Sequence, residues 1–94
     1  MADFEQVDGS KKEHELRLYA ISTCGWCRKA RSFLEGNDVA YEFVYVDNLE
    51  GAEQKKVVEE VAKLNPEGTF PTLVVDGADV IVGFNNDTYM DKLL

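Results

Sequence analysis

The sequence predicts an α/β domain with elements in the order β-α-β-α-β-β-α, a mixed four-stranded sheet and helices on its faces. Three observations predict it. Leu16 to Ile21 is a near-continuous apolar run of strand length, as expected of a strand buried on both faces. Within Val39–Val46, Tyr41, Phe43 and Tyr45 alternate with Glu42, Val44 and Val46, the two-residue period of a second strand. Leu73-Val74-Val75 and Val80-Ile81-Val82 are β-branched runs on either side of Asp76-Gly77-Ala78-Asp79, a hairpin loop.

The connecting segments have helical spacing. Cys27 to Glu35 reads as a helix with Trp26, Ala30, Phe33 and Leu34 on one stripe and Arg28, Lys29 and Arg31 on the other side. Gly36-Asn37 ends it with C-cap chemistry. Two strands joined through this helix make a βαβ unit, and its strands should be parallel. After the polar turn Asp47-Asn48-Leu49-Glu50-Gly51, a second helix runs from about Ala52 to Leu64, with apolar Val57, Val58, Val61, Ala62 and Leu64. Asn65-Pro66-Glu67-Gly68 stops it. A last helix, about Asn86 to Leu94, buries Tyr89, Met90, Leu93 and Leu94. Residues 1–15 are polar around Gly9-Ser10 and are expected to be a mobile tail, with His14 a solvated tail residue; 16–94 form the folded domain.

Ninety-four residues with 45% apolar and 30% charged side chains suffice for one small core. No apolar run approaches the roughly 18 residues a membrane span needs. The N-terminus shows no apolar secretory region, which favours the cytoplasm. A net charge of −8 disfavours nucleic acid and anionic membranes as partners.

Both cysteines of the chain lie in Thr23-Cys24-Gly25-Trp26-Cys27, between the first strand and the first helix. In a reducing compartment a lone pair so placed is catalytic more often than structural. The unpaired N–H groups of a helix start favour a thiolate at Cys24, and Arg28 and Lys29 add positive charge. Cys27, deeper in the helix, would resolve the mixed disulfide that Cys24 forms with a substrate. Gly25 leaves room for a substrate to approach Cys24; Trp26 is either a substrate-facing aromatic or a packing residue. A zinc site needs about four ligands, and two cysteines with one histidine do not supply them, so no metal site is expected. Phe70-Pro71, entering a strand after a turn, is a natural place for a cis peptide bond. The backbone of Thr69 and Phe70 would then pair with an extended substrate held against Cys24.

Cys24-Gly25-Trp26-Cys27-Arg28-Lys29-Ala30, Thr69-Phe70-Pro71-Thr72, and Gly83-Phe84 ahead of an Asn/Asp-led helix together resemble the glutaredoxin family, within the thioredoxin-like fold. The resemblance covers residues 16–94. It implies a dithiol thiol–disulfide oxidoreductase serving electron transport and cell redox homeostasis, with Cys24 as nucleophile and a cis-Pro71 facing it. It also implies a substrate rim at Gly83, Phe84, Asn85, Asn86 and Asp87. Implied partners are protein disulfides, with glutathione or a thioredoxin reductase as electron donor, and the chain is expected to act as a monomer with no tightly bound cofactor.

The sequence departs from the family pattern at the glutathione site. Typical glutathione-using members carry a lysine or arginine three residues before the first cysteine, where this chain has Ile21. Glu67 and Gly68 stand where many carry a basic or amide residue, and Gly83-Phe84 replaces a Gly-Gly pair. That last feature resembles the glutaredoxin-like electron donors of ribonucleotide reductase. The alternative function is a carrier of a [2Fe–2S] cluster bridging two protomers with glutathione, which Gly25 permits and Ile21 weakens.

Overall fold

A computed structural model describes residues 4–94. Its elements are β1 (Glu5–Val7), β2 (Leu16–Ala20), α1 (Gly25–Gly36), β3 (Tyr41–Tyr45), a 3-10 turn (Val46–Asn48), α2 (Gly51–Leu64), β4 (Thr72–Val75), β5 (Asp79–Val82) and α3 (Asn86–Leu93). The expected thioredoxin-like α/β fold is present, with three helices around a mixed sheet. The sheet has five strands rather than four, in the order β1-β3-β2-β4-β5. β2 and β3 are parallel, and the other pairings are antiparallel.

Strand periodicity divides the core in two. Leu16, Leu18, Ala20, Tyr41, Phe43, Leu73 and Val75 point to one face, where Cys27, Ala30 and Leu34 of α1 and Tyr89 and Leu93 of α3 cover them. Tyr19, Val44 and Val74 point to the other, under Val57 and Val61 of α2. The central strand β2 is therefore buried on both sides, which is why it reads as a continuous apolar run. The half-buried Phe70 packs against both clusters at the end of the sheet that carries the β2–α1 junction.

The fifth strand comes from the segment expected to be a mobile tail. Glu5–Val7 pairs with β3, and Lys11 exchanges backbone hydrogen bonds with Asp38 and Ala40 at 3.0 Å each. Gly9 makes this approach feasible: a Cβ there would stand 2.6 Å from the backbone of residues 38–40. His14 is likewise not a free tail residue, since its Nδ1 lies 2.8 Å from the Asp76 carboxylate, which also accepts from the Glu15 N–H. Residues 1–3 lie outside the described residues.

Two expected burials, those of Met90 and Leu94, are corrected, and the open choice at Trp26 falls on the exposed side. Trp26 is 58% exposed and sits under Lys29 Nζ, 4.5 Å from its ring; Cys27, one residue on, takes the inward place on the stripe. Met90 and Leu94 are exposed because an eight-residue helix turns only one narrow stripe inward, and Tyr89 and Leu93, four apart, occupy it.

α1 is held down onto β3 by Arg31. Its guanidinium donates to the hydroxyls of Tyr41 (2.9 Å) and Tyr45 (2.7 Å) and to Glu35 (3.1 Å), and lies over the Phe43 ring. The loop after α2 is organised by the buried Asn65. Its Nδ2 donates to the Thr69 carbonyl and to the hydroxyls of Thr69 and Thr72, and its Oδ1 accepts from the Glu67 N–H. Among the described residues, the Tyr89 hydroxyl is the one buried side-chain polar atom without a hydrogen-bond partner.

Asn65→Ala should cost about 2 kcal/mol, because the hydroxyl of Thr72 and the turn N–H lose buried partners. For a domain of this size that lowers the melting temperature by roughly 10 °C, against almost no change for the exposed Asn48→Ala, as thermal unfolding followed by circular dichroism would show. Tyr89→Phe should leave the melting temperature unchanged or raise it, by up to about 1 kcal/mol of stability, because it removes a hydroxyl that is desolvated without compensation.

Candidate active site

The site is built at the carboxyl end of β2. The chain leaves the strand at Ile21 and turns back within two residues, and the Cys24 N–H donates to the Ile21 carbonyl at 3.1 Å. Ser22 is tied to the 3-10 turn that follows β3: its N–H donates to Asp47 Oδ1 at 2.9 Å and its hydroxyl donates to Asp47 Oδ2. These two bonds hold the Asp47 carboxyl below the usual carboxylate range.

α1 starts at Gly25, two residues earlier than its spacing predicts, because Cys24 itself is the N-cap. Cys24 has extended backbone dihedrals and its Sγ accepts the Cys27 N–H at 3.2 Å. This is the geometry in which Ser or Asp usually caps a helix, here made with sulfur. No acidic side chain competes in the first turn. A Cβ built on Gly25 meets nothing within 4 Å, so the approach to the junction is open.

The two sulfurs differ in environment. Cys24 is partly exposed, while Cys27 is 1% exposed in the core beneath it. Burial, reinforced by the hydrogen bond with Cys24, pushes the Cys27 thiol up to about 12; the Ile21 backbone pulls the other way, and the charges of Cys24 and Asp47 add smaller upward contributions. Burial also raises the Tyr89 phenol, with a smaller contribution from Cys27. Cys27 therefore stays neutral beside Cys24 at physiological pH.

The loop before β4 lies beside the end of β2, because Thr72 pairs with Tyr19. The Phe70–Pro71 peptide bond is cis, Pro71 is buried, and its carbonyl accepts the Gly83 N–H at 2.8 Å. Gly83 has φ +74°, a left-handed turn that suits a residue without Cβ. Phe84 folds back onto Phe33 of α1 and Tyr89 of α3, at centroid distances of 6.0 and 4.8 Å. Thus Gly83 and Phe84 are joined to Pro71 on one side and to α1 on the other. The outer rim is less available than the sequence suggests. Asn85 caps α3 by accepting the Thr88 N–H, and Asn86 Nδ2 contacts Met90 Sδ at 3.5 Å. Asp87 is exposed. The Thr69 carbonyl is occupied by the Thr72 hydroxyl (2.7 Å) and Asn65.

Sequence reading placed Ile21 at the site but missed the Ser22–Asp47 tie and the groove that Ile21 lines. Ile21, Val58, Val61 and Phe70 line an apolar groove of about 290 Å³, with Asp47 and Gln54 at its polar edge. No periodicity marks such residues, because they come from four separate elements. Larger hollows lie elsewhere: one of about 400 Å³ is framed by Arg17, Glu42, Glu60 and Lys63 on the α2 face of the sheet, away from the cysteines. Among the described residues no group of three or more His, Cys, Asp or Glu side chains is placed to hold a metal ion, and no helix is long and apolar enough to cross a membrane.

The glutaredoxin family model matches residues 16–80. A glutaredoxin-like 8.6 kDa protein of the rubredoxin operon of Clostridium pasteurianum is 32% identical over 79 residues, covering 84% of this chain and 96% of its own. Glutaredoxin 1 of Rickettsia prowazekii is 29% identical, covering 86% and 87%. The crystal structure of the glutaredoxin from Methanosarcina mazei Go1 superposes with a TM-score of 0.86 at 37% identity, covering 96% of this chain and 86% of that one. Methanoredoxin of Methanosarcina acetivorans gives 0.83 at 33% identity, covering 87% and 86%. With its two cysteines on the strand-to-helix junction and a family match over most of its length, the chain belongs to the glutaredoxin family.

Proposed function

We propose that the chain is a thiol–disulfide oxidoreductase that reduces protein disulfides through Cys24 and Cys27. The observation that carries this reading is the unequal pair: a partly exposed sulfur that caps a helix, and a buried one a single turn away. The Cys24 thiolate attacks a substrate disulfide R–S–S–R′. The Cys24–S–S–R bond forms, the old bond breaks, and R′–S⁻ leaves and takes a proton from water. The Cys27 thiol then attacks Cys24 Sγ, its proton passes to the departing R–S⁻, and the Cys24–Cys27 disulfide remains. Two electrons have moved from the dithiol to the substrate. A thiol donor, either glutathione or the dithiol of a reductase, returns them by the reverse exchange.

The environment of Cys27 suits the second role. While Cys24 is free, the hydrogen bond to it helps keep Cys27 protonated. Once Cys24 is tied up in the mixed disulfide, that contribution is gone, while burial, the larger cause, remains. A substrate strand lying across the cis-Pro71 edge pairs with the Phe70 backbone rather than with Thr69, whose carbonyl is already used.

Iodoacetamide should add one carbamidomethyl group to the native dithiol protein at pH 7–8, on Cys24, as peptide mass spectrometry would locate it. Cys27, held protonated up to about 12, should react only on unfolding. The same shift means that folding loses stability as the pH rises above about 9, where an unfolded thiol ionises and the folded Cys27 does not. A Cys27→Ala protein should lack that part of the alkaline slope in urea titrations. In a reduction assay with an exposed protein disulfide, Cys24→Ser should abolish turnover. Cys27→Ser should instead accumulate a covalent Cys24–substrate complex on non-reducing gels. Full activity in Cys24→Ser, or no complex with Cys27→Ser, would remove the proposal.

A further inference from the structure

The apolar groove beside Cys24 carries an inference about which disulfides the site accepts, and it rests on the exchange reaction proposed above. Two of the residues that line the groove are joined directly to the proposed reacting centre. Ile21, on its inner wall, accepts the Cys24 N–H through its carbonyl. Phe70, on its outer wall, is the residue ahead of cis-Pro71, where a substrate strand would run. A side chain one residue from a half-cystine held at Cys24 lies about 3.3 Å along an extended chain, within reach of a hollow that shares walls with the site.

Its chemistry is one-sided. Val58 is 47% exposed on a helix whose Val57 and Val61 are buried, so its outward face has no partner within the fold. Ile21, Val46, Val61, Ala62 and Phe70 complete the apolar lining, and no lysine or arginine lines the groove. Its one ionised group is Asp47, which repels a carboxylate. Gln54 already spends an N–H on the Val46 carbonyl at 3.1 Å. The chain as a whole carries −8, which adds to the exclusion of anions. A ligand whose recognition depends on a carboxylate finds no counter-charge here, and an apolar side chain finds a hollow of its own size.

We infer that the groove lined by Ile21, Val58 and Phe70 receives a bulky aliphatic or aromatic side chain adjacent to the half-cystine that Cys24 attacks, so that the chain prefers extended protein disulfides with an apolar neighbour over glutathione disulfide and other anionic disulfides. Burial of one such side chain is worth about tenfold or more in kcat/KM.

The test uses the full chain, reduced beforehand with dithiothreitol and freed of it. Symmetrical disulfides of short blocked peptides carry Leu, Ala or Glu on either side of the cysteine, and glutathione disulfide is run beside them. Consumption is followed by chromatography. The Leu disulfide in at least one of the two orders should react about tenfold faster than the Ala disulfide, and faster still than the Glu disulfide and glutathione disulfide. Val58→Lys, at an exposed position that tolerates it, should slow the Leu disulfide and speed the Glu disulfide, narrowing their ratio at least tenfold. Ala62→Lys on the same wall should act in the same direction, and melting curves verify that both variants fold. Rates for Leu, Ala and Glu within twofold of one another, or a Val58→Lys protein whose rates all shift together, would overturn the groove assignment and leave the exchange reaction standing. Failure of the unmodified chain to reduce any of the disulfides would remove the exchange reaction, and this inference with it.

Discussion

One hydrogen bond organises the active end of the molecule: the Cys27 N–H donates to the Cys24 sulfur. Every helix start leaves N–H groups without partners, and a fold must supply an acceptor. Most chains use an oxygen that has no other task. Here the acceptor is the Cys24 sulfur, so the stability of α1 and the orientation of the proposed nucleophile are set together. The bond also fixes the second cysteine. A cap at Cys24 places Cys27 at the third helical position, one turn along and on the side that faces the sheet. The exposed and the buried sulfur are thus two consequences of one cap.

Other parts of the structure keep that junction still. The Ser22–Asp47 bonds pin the turn before the cap to the 3-10 turn that follows β3. Arg31 pins the helix after it to Tyr41 and Tyr45. Asn65 shapes the loop that brings Pro71 to the site, and the Gly83 N–H ties that loop to the start of α3. None of these contacts touches a sulfur. Their shared effect is to remove freedom from two chain segments that must face each other, and such positioning reduces the entropy a reacting complex has to lose.

The parts that were legible in the sequence are those with a local physical signature. β2 and β3 declared themselves by hydrophobic continuity and alternation, α2 by its spacing, and the cysteine pair by its place between strand and helix. β1 did not, because three residues at a sheet edge with one side in water show no period, and its docking depends on the missing side chain of Gly9 meeting the backbone of residues 38–40. Trp26 was ambiguous for a related reason: a cap that starts the helix at Gly25 rotates Cys27 inward and Trp26 outward, and spacing counted from Cys27 does not reveal it. Asn85 looked like part of a rim and proves to be an N-cap, a use of asparagine that the sequence Asn85-Asn86-Asp87 leaves undetermined between its members.

The same distinction separates the reaction from its selectivity. The chemistry of the pair follows from backbone dipoles, one turn of helix and burial, all of which are set within Cys24–Cys27 and the strand before it. What the nucleophile meets is decided by side chains that converge from distant positions: Ile21 at the end of β2, Asp47 after β3, Val58 on α2 and Phe70 before β4. Replacing a cation by Ile21 would alone leave a neutral gap. Combined with an ionised Asp47 and an outward Val58, it produces a surface that opposes negative charge and leaves apolar area uncovered. The proposed reaction therefore rests on one short stretch, and the proposed selectivity on the fold.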